Sequence, residues 1–151
     1  MPALGIPNTT NMRMISKVFV DTNVFVTTRD FNDSTHQKAV DLSEYLLANE
    51  AAWYTSSDII AESLTVLSQK LGKSVALDWY KDFKNGNIKE IFVDEILHRE
   101  ARSFFTKIKS KNVSFVDCSS AVAMKRNKID VIFSFDEDFK GMGIKLLGDL
   151  V

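Results

Sequence analysis

Short apolar runs that alternate with longer segments of helical periodicity are the feature that most constrains the fold. Val18-Phe19-Val20 is a β-branched and aromatic run that ends at Asp21, and such a run is typical of a buried strand. Between about His36 and Asn49, apolar side chains recur mostly at intervals of three to four residues, which predicts a helix. Strands that alternate with helices predict an α/β layered fold with a largely parallel central sheet.

The same alternation continues to the end of the chain. Strands are predicted at residues 53–55, 88–93 and 131–134, and an apolar segment at 144–147 closes the chain. Helices are predicted from about residue 58 to Gly72 and over residues 74–84, 95–110 and 117–125. Residues 1–14 hold two prolines and a glycine without periodicity, so we interpret them as a flexible N-terminal extension and residues 15–151 as a single domain.

Composition narrows the class of protein without indicating its function. The chain of 151 residues is 45% hydrophobic and 26% charged, which is typical of a globular protein. It contains no apolar run long enough to span a membrane and no signal-peptide pattern, and its single cysteine, Cys118, suits a reducing compartment. We therefore expect a cytoplasmic protein. The net charge of −1 neither indicates nor excludes binding to nucleic acid.

Three acidic residues are predicted to lie at one edge of the sheet. Asp21 follows the first strand, Asp117 lies at a helix start, and Asp136 follows the strand at 131–134. Ligands of parallel α/β sheets bind at the carboxyl ends of the strands, and grouped carboxylates are neutralised by a hard cation such as Mg²⁺ or Mn²⁺. Each acid also has a structural interpretation: Asp21, Asp136 and Asp138 as turn residues, and Asp117 as an N-cap.

Four segments, taken in order, resemble the motifs of the PIN-domain family. They are KVFVDTNVF at 17–25, SDIIAE at 57–62, FVDCSSA at 115–121 and IFSFDEDF at 132–139. The resemblance runs from about Lys17 to the end of the chain and implies a three-layer α/β/α sandwich. It is strongest for the toxins of VapBC-type toxin–antitoxin pairs.

The resemblance implies a Mg²⁺-dependent (or Mn²⁺-dependent) endoribonuclease that cleaves RNA by means of a metal-activated water. Asp21 and Asp117 would bind the metal, and Glu62, which helical periodicity alone places on a solvent-facing side, would be the second acid of the family pattern. The fourth acid would be Asp136, with Asp138 as an alternative ligand. A small antitoxin protein would be the partner.

Further residues are candidates for contact with the substrate. Asn23 and Ser134 could orient carboxylates or water, or could be structural turn residues. Arg29, Lys125 and Arg126 could neutralise RNA phosphates, although basic residues at a helix end also favour the helix dipole.

Three aromatic residues at helical spacing have two interpretations. Trp79, Tyr80 and Phe83 could line an antitoxin groove or a homodimer face, or they could belong to the core. Cys118 is interpreted as a packing residue, because no histidine is placed beside it to activate a thiol.

Other classes of protein share parts of the acidic pattern. A haloacid-dehalogenase-like phosphatase needs a second acid two residues after the first, where this chain has Asn23. A receiver-type signalling domain needs an acidic pair near the first strand, and only Asp21 is present there. A PIN-fold module without catalytic activity, binding RNA or protein, is the third alternative.

Overall fold

Five strands form one sheet in the computed structural model, which describes residues 15–151. The strands are β1 (Lys17–Val20), β2 (Ala52–Ser56), β3 (Lys89–Ile91), β4 (Val131–Phe133) and β5 (Lys145–Leu146). The helices are α1 (Thr22–Thr27), α2 (His36–Ala48), α3 (Ser57–Leu71), α4 (Lys73–Asn85), α5 (Glu95–Lys107), α6 (Phe115–Arg126) and α7 (Leu147–Leu150). A 3₁₀ helix, Glu137–Met142, joins β4 to β5. The extension predicted at residues 1–14 lies outside the described residues.

All strand pairings in the sheet are parallel, in the order β3-β2-β1-β4-β5. The chain moves outward from β1 to β3 and then crosses back to place β4 on the other side of β1. Because crossovers between parallel strands are right-handed, the helices before β3 cover one face of the sheet and the helices between β3 and β4 cover the other. The predicted α/β three-layer architecture is confirmed.

The central strand is buried on both faces, as its sequence predicts. Val18, Phe19 and Val20 are fully buried, and Ile132 and Phe133 of β4 pair with them in the same layer. Strands covered by helices on both faces need apolar side chains at every position, since neither face meets water. This burial holds the carboxyl ends of β1 and β4 firmly side by side.

The predicted aromatic triplet of α4 belongs mainly to the core. Trp79 is buried, stacks on Phe83 with ring centroids 5.5 Å apart, and packs on Phe25 of α1 at 5.0 Å. Tyr80 and Phe83 are partly buried against the same cluster. The core interpretation of these residues is therefore the one that the structure supports.

Several elements differ from the prediction. Helix α1 was not predicted, because six residues are too few to show a helical period. The segment after Asp136 forms a 3₁₀ helix where a turn was expected. Helix α5 ends at Lys107, three residues early, because the next residue, Ile108, adopts an extended backbone with φ −83° and ψ 127°.

No helix within residues 15–151 has both the length and the apolar character that a membrane-spanning segment requires. Cys118 is a free, buried cysteine, as its interpretation as a packing residue requires.

Candidate metal centre

The candidate site lies where the strand order reverses, between the carboxyl ends of β1 and β4. Ligands of doubly wound sheets bind at such a switch point, because the crossovers leave on opposite faces and open a crevice. Asp21 follows β1 directly, and its backbone N–H donates a hydrogen bond to the Phe133 carbonyl of β4 at 3.0 Å. One oxygen of the Asp21 side chain also accepts from the Thr22 N–H at 2.8 Å, so Asp21 begins α1 as its N-cap.

Asp21 is held by two polar side chains that the sequence singled out. The Ser134 hydroxyl donates to Asp21 Oδ2 at 2.7 Å. Asn23 Nδ2 donates to Ser134 Oγ at 3.2 Å, while Asn23 Oδ1 accepts from the Phe135 N–H at 3.2 Å. These bonds tie the segment after β4 to the carboxylate that follows β1.

Burial makes the ionised form of Asp21 costly. Only 5% of the residue is exposed, and this desolvation raises the pKa of the carboxyl from its ordinary 3.8 to about 7. The hydrogen bonds from Ser134 and Thr22 oppose the rise, whereas the charges of Asp117 and Glu62 add to it. A carboxylate in this state gains strongly from a nearby cation.

Glu62 extends from α3 toward the same site. Helix α3 begins at the Ser56 N-cap, and Glu62 is half-buried on its second turn. One Glu62 carboxylate oxygen accepts a short hydrogen bond from the Thr22 hydroxyl, which lies next to Asp21 in the chain. Helical periodicity alone had indicated a solvent-facing residue, because the apolar stripe of α3 lies on other positions.

Asp117 lies in the first turn of α6, and the N-cap is Ser114. The Ser114 hydroxyl accepts from the Asp117 N–H at 3.1 Å, and Asp117 Oδ2 accepts from the Ser114 N–H at 2.9 Å. This reciprocal pair is a capping box. The expectation that Asp117 itself opens the helix is therefore wrong, because the N-cap is Ser114, three residues earlier. Burial raises the pKa of Asp117, and the charges of Asp136 and Glu62 raise it further.

Asp136 and Asp138 differ in their placement. Asp136 lines the site, with its backbone N–H donating to Ser134 Oγ at 3.0 Å. Asp138 does not line it, and its N–H donates to Asp136 Oδ1 at 2.9 Å. The charge of Asp136 raises the pKa of Asp138. Of the two candidates for the fourth acid, the structure brings Asp136 to the other three.

The four acids line one cavity of about 430 Å³, which we call the acidic cavity. Its lining consists of Asp21, Thr22, Asn23, Val26, Thr27, Asp33, Glu62, Val66, Lys70, Asn112, Ser114, Asp117 and Asp136. Within residues 15–151, no three aspartate, glutamate, histidine or cysteine side chains converge into a compact chelating group. The carboxylates instead surround a shared space.

This donor set fits a hard divalent cation better than any other metal. Every candidate ligand is a carboxylate oxygen, which suits Mg²⁺ and Mn²⁺ and does not suit metals that prefer sulfur or imidazole. Mg²⁺ retains several of its waters and is commonly held by one or two carboxylates, so a cavity lined by separated carboxylates can accommodate it. The raised pKa values of Asp21 and Asp117 point the same way, since a bound cation would relieve the cost of their ionisation.

Three predicted substrate-binding residues lie elsewhere. Arg29 forms an ion pair with Asp82 of α4 at 2.8 Å and does not line the acidic cavity. Lys125 and Arg126 lie at the end of α6 and line a separate cavity of about 1110 Å³, and Arg126 is paired with Glu100. Helix α6 begins at the carboxyl edge of the sheet and runs back to the amino edge. Its end, and the cavity that it lines, therefore lie near the start of β4.

Several lining residues were not singled out from the sequence. Ser114 had a readable signal, because a serine three residues before an acid at a helix start is a capping-box pattern. Thr22 had none, since its contact with Glu62 joins residues 40 positions apart in the chain. Lys70 and Asn112 also had none, because each lies on an element whose position depends on the tertiary fold.

Comparison with known proteins identifies the family and the fold. A family model described as PIN domain matches residues 18–145. The 23S rRNA-specific endonuclease VapC20 of Mycobacterium tuberculosis is 24% identical over 126 residues, which cover 83% of this chain and 94% of that protein. The crystal structure of Mycobacterium tuberculosis VapC20, described as a sarcin-ricin loop cleaving toxin, matches with a TM-score of 0.75 and 23% identity, over 84% of this chain and 95% of that chain.

A second solved structure is similar at lower identity. VapBC2 from Rickettsia felis, bound to a DNA fragment from its promoter, matches with a TM-score of 0.60 and 16% identity, over 86% of this chain and 96% of that chain. At these identities the solved structures establish a common fold.

Proposed function

The chain belongs to the PIN-domain family, and from this premise we propose that it is a metal-dependent endoribonuclease and the toxin of a toxin–antitoxin pair. The observation that carries the proposal is the acidic cavity, in which Asp21, Glu62, Asp117 and Asp136 meet from four separate segments of the chain. Carboxylates that gather at a strand switch point cost free energy in the folded protein. A metal-dependent reaction explains why that cost is retained.

Asp21, Glu62, Asp117 and Asp136 would hold the Mg²⁺ or Mn²⁺ ion, directly or through its waters. When bound, such an ion lowers the pKa of a coordinated water and stabilises the negative charge that develops on a phosphodiester. Asp138, outside the cavity, would act on the site through its hydrogen bond to Asp136.

The side chains around the acids keep them oriented. Ser134 and Asn23 fix one oxygen of Asp21, and the Thr22 hydroxyl fixes one oxygen of Glu62. The capping box holds one oxygen of Asp117 at the start of α6. The second carboxylate oxygens of Glu62 and Asp117 would remain for the ion or its waters, whereas both oxygens of Asp21 accept hydrogen bonds, Oδ1 from the Thr22 N–H and Oδ2 from Ser134. Restraint of this kind lowers the entropy cost of assembling the reacting groups.

The substrate is proposed to be RNA, by similarity to VapC20, which is described as a 23S rRNA-specific endonuclease. A structured loop of ribosomal RNA is the first candidate, since the VapC20 structure is described as that of a sarcin-ricin loop cleaving toxin. A small antitoxin is proposed as partner because a VapBC structure is among the neighbours in fold.

A cleavage assay on purified 23S rRNA tests the proposal. We expect the wild-type protein to cut the RNA in Mg²⁺, to lose cleavage when the metal is chelated, and to regain it when Mg²⁺ is restored. Asp117→Asn should reduce the rate by at least about 100-fold, because one ligand charge is lost. Asp78→Asn, at an exposed position of α4, is the matched control and should cleave normally. Cleavage that persists in chelator, or in Asp117→Asn at the wild-type rate, would overturn the proposal, and binding without cleavage would support the inactive-module alternative.

A further inference from the structure

The acidic cavity continues beyond the four acids along one face of α3. Glu62, Val66 and Lys70 follow one another at intervals of four residues, and all three line the cavity. Residues at this spacing lie above one another on a helix. At 1.5 Å of rise per residue, the backbone of Lys70 lies about 12 Å from that of Glu62 along the helix axis.

Lys70 is the only basic side chain that lines the acidic cavity among the residues that the structure describes. It is exposed and forms no ion pair with any residue in 15–151. The nearby carboxylate of Asp33 is occupied by Thr35, whose N–H and hydroxyl donate to it at 2.8 and 2.6 Å. These bonds are the main reason that the pKa of Asp33 is low, and the positive charge of Lys70 contributes less. The ammonium group therefore remains available to a ligand.

Two further lining residues of the acidic cavity carry no charge. Val66 provides an apolar surface between Glu62 and Lys70. Asn112, in the segment before α6, uses its backbone N–H to bond Ser110 Oγ, and its side-chain amide has no hydrogen-bond partner within residues 15–151. An apolar contact, a free amide and a lysine together suit the sugar, base and phosphate of a nucleotide.

We propose that Val66, Lys70 and Asn112 form a binding site for the nucleotide that flanks the scissile phosphate, with Lys70 neutralising a phosphate of the RNA strand. This inference rests on the proposed ribonuclease function and specifies how the substrate lies in the site. Five carboxylates line the cavity, those of Asp21, Asp33, Glu62, Asp117 and Asp136, and they repel a polyanion that approaches it. A cation about two helical turns from Glu62 on the same face of α3 draws the strand in and sets its direction along the helix.

Steady-state cleavage of a 23S rRNA fragment, measured between 50 and 200 mM salt, tests the role of Lys70. We expect Lys70→Gln to raise KM by about 3- to 10-fold with kcat within about twofold, and to reduce the slope of log affinity against log salt by about 0.7. Lys70→Arg should restore most of the affinity. Asp33→Asn should lower KM, because it removes a negative charge from the cavity while an amide oxygen can still accept from Thr35.

Lys73→Gln is the matched control. Lys73 is an exposed lysine three residues further along the chain, and it does not line the cavity. It should leave KM and the salt slope unchanged. The inference is overturned if Lys70→Gln retains the wild-type KM and salt slope, or if Lys73→Gln changes them equally. A wild-type protein that does not cut RNA would instead overturn the proposed function, and this inference with it.

Discussion

At the scale of single residues, Asp21 combines two opposing properties. It must be ionised to bind a cation, yet it is the one charged residue within 15–151 that the fold buries almost completely. Its pKa of about 7 reflects mainly the loss of water around it. The hydrogen bonds from Ser134 and Thr22 recover only part of that loss, so an unliganded Asp21 destabilises the folded protein at neutral pH.

Asp21→Asn should therefore stabilise the metal-free protein, and increasingly so as pH rises. A carboxyl whose pKa is higher in the folded state than in the unfolded state loses its stabilising contribution as pH rises from about 3.8 to about 7. The variant lacks this titration. We expect the difference in unfolding free energy between variant and wild type to grow by about 2 to 3 kcal/mol from pH 5 to pH 8 in urea denaturation with EDTA.

Asp78→Asn supplies the comparison for this effect, because it removes a carboxyl from an exposed surface position. Its stability relative to wild type should not change with pH. A difference between Asp21→Asn and wild type that is the same at pH 5 and pH 8 would contradict the account of Asp21.

At the scale of elements, the capping box that begins α6 also holds Asp117, a candidate metal ligand. Ser114→Ala removes the hydroxyl that accepts from the Asp117 N–H. We expect it to cost about 1 kcal/mol of stability, as the loss of an N-cap usually does. It should also raise the Mg²⁺ concentration needed for half-maximal cleavage, because Asp117 loses its support.

Asp94→Ala is the matched control for this variant. Asp94 is the N-cap of α5, and its side chain accepts from the Leu97 N–H at 2.8 Å, away from the acidic cavity. Both variants should lose similar stability in thermal denaturation, but only Ser114→Ala should change the Mg²⁺ requirement. An equal change in both would show that general destabilisation, rather than the position of Asp117, is responsible.

The elements also show what could be predicted from the sequence. The apolar runs at β1 and β4 identified buried parallel strands, and strand order then explains why Asp21 and Asp136 lie together. Glu62 could be assigned to the site only by resemblance to the family. Its position in the acidic cavity depends on how α3 packs in the fold, which helical periodicity does not reveal. Lys125 and Arg126 were assigned to the substrate from charge alone, and the direction of α6 carries them to the other edge.

At the scale of the whole molecule, the fold concentrates negative charge within a nearly neutral chain. The formal net charge is −1, yet five carboxylates line the acidic cavity and one lysine opposes them. Sheet topology produces this concentration, because the crossover from β3 to β4 brings the acids of distant segments to one crevice. A bound divalent ion would offset two of these negative charges.

The central claim is that these acids form one metal site, and calorimetric titration of Mn²⁺ into the purified protein tests it most directly. We expect saturable binding by the wild-type protein and by Asp78→Asn. Binding should weaken below pH 7, because Asp21 takes up a proton. Asp21→Asn and Asp117→Asn should each lose at least about 10-fold in affinity. Equal Mn²⁺ affinity in all four proteins would contradict the claim.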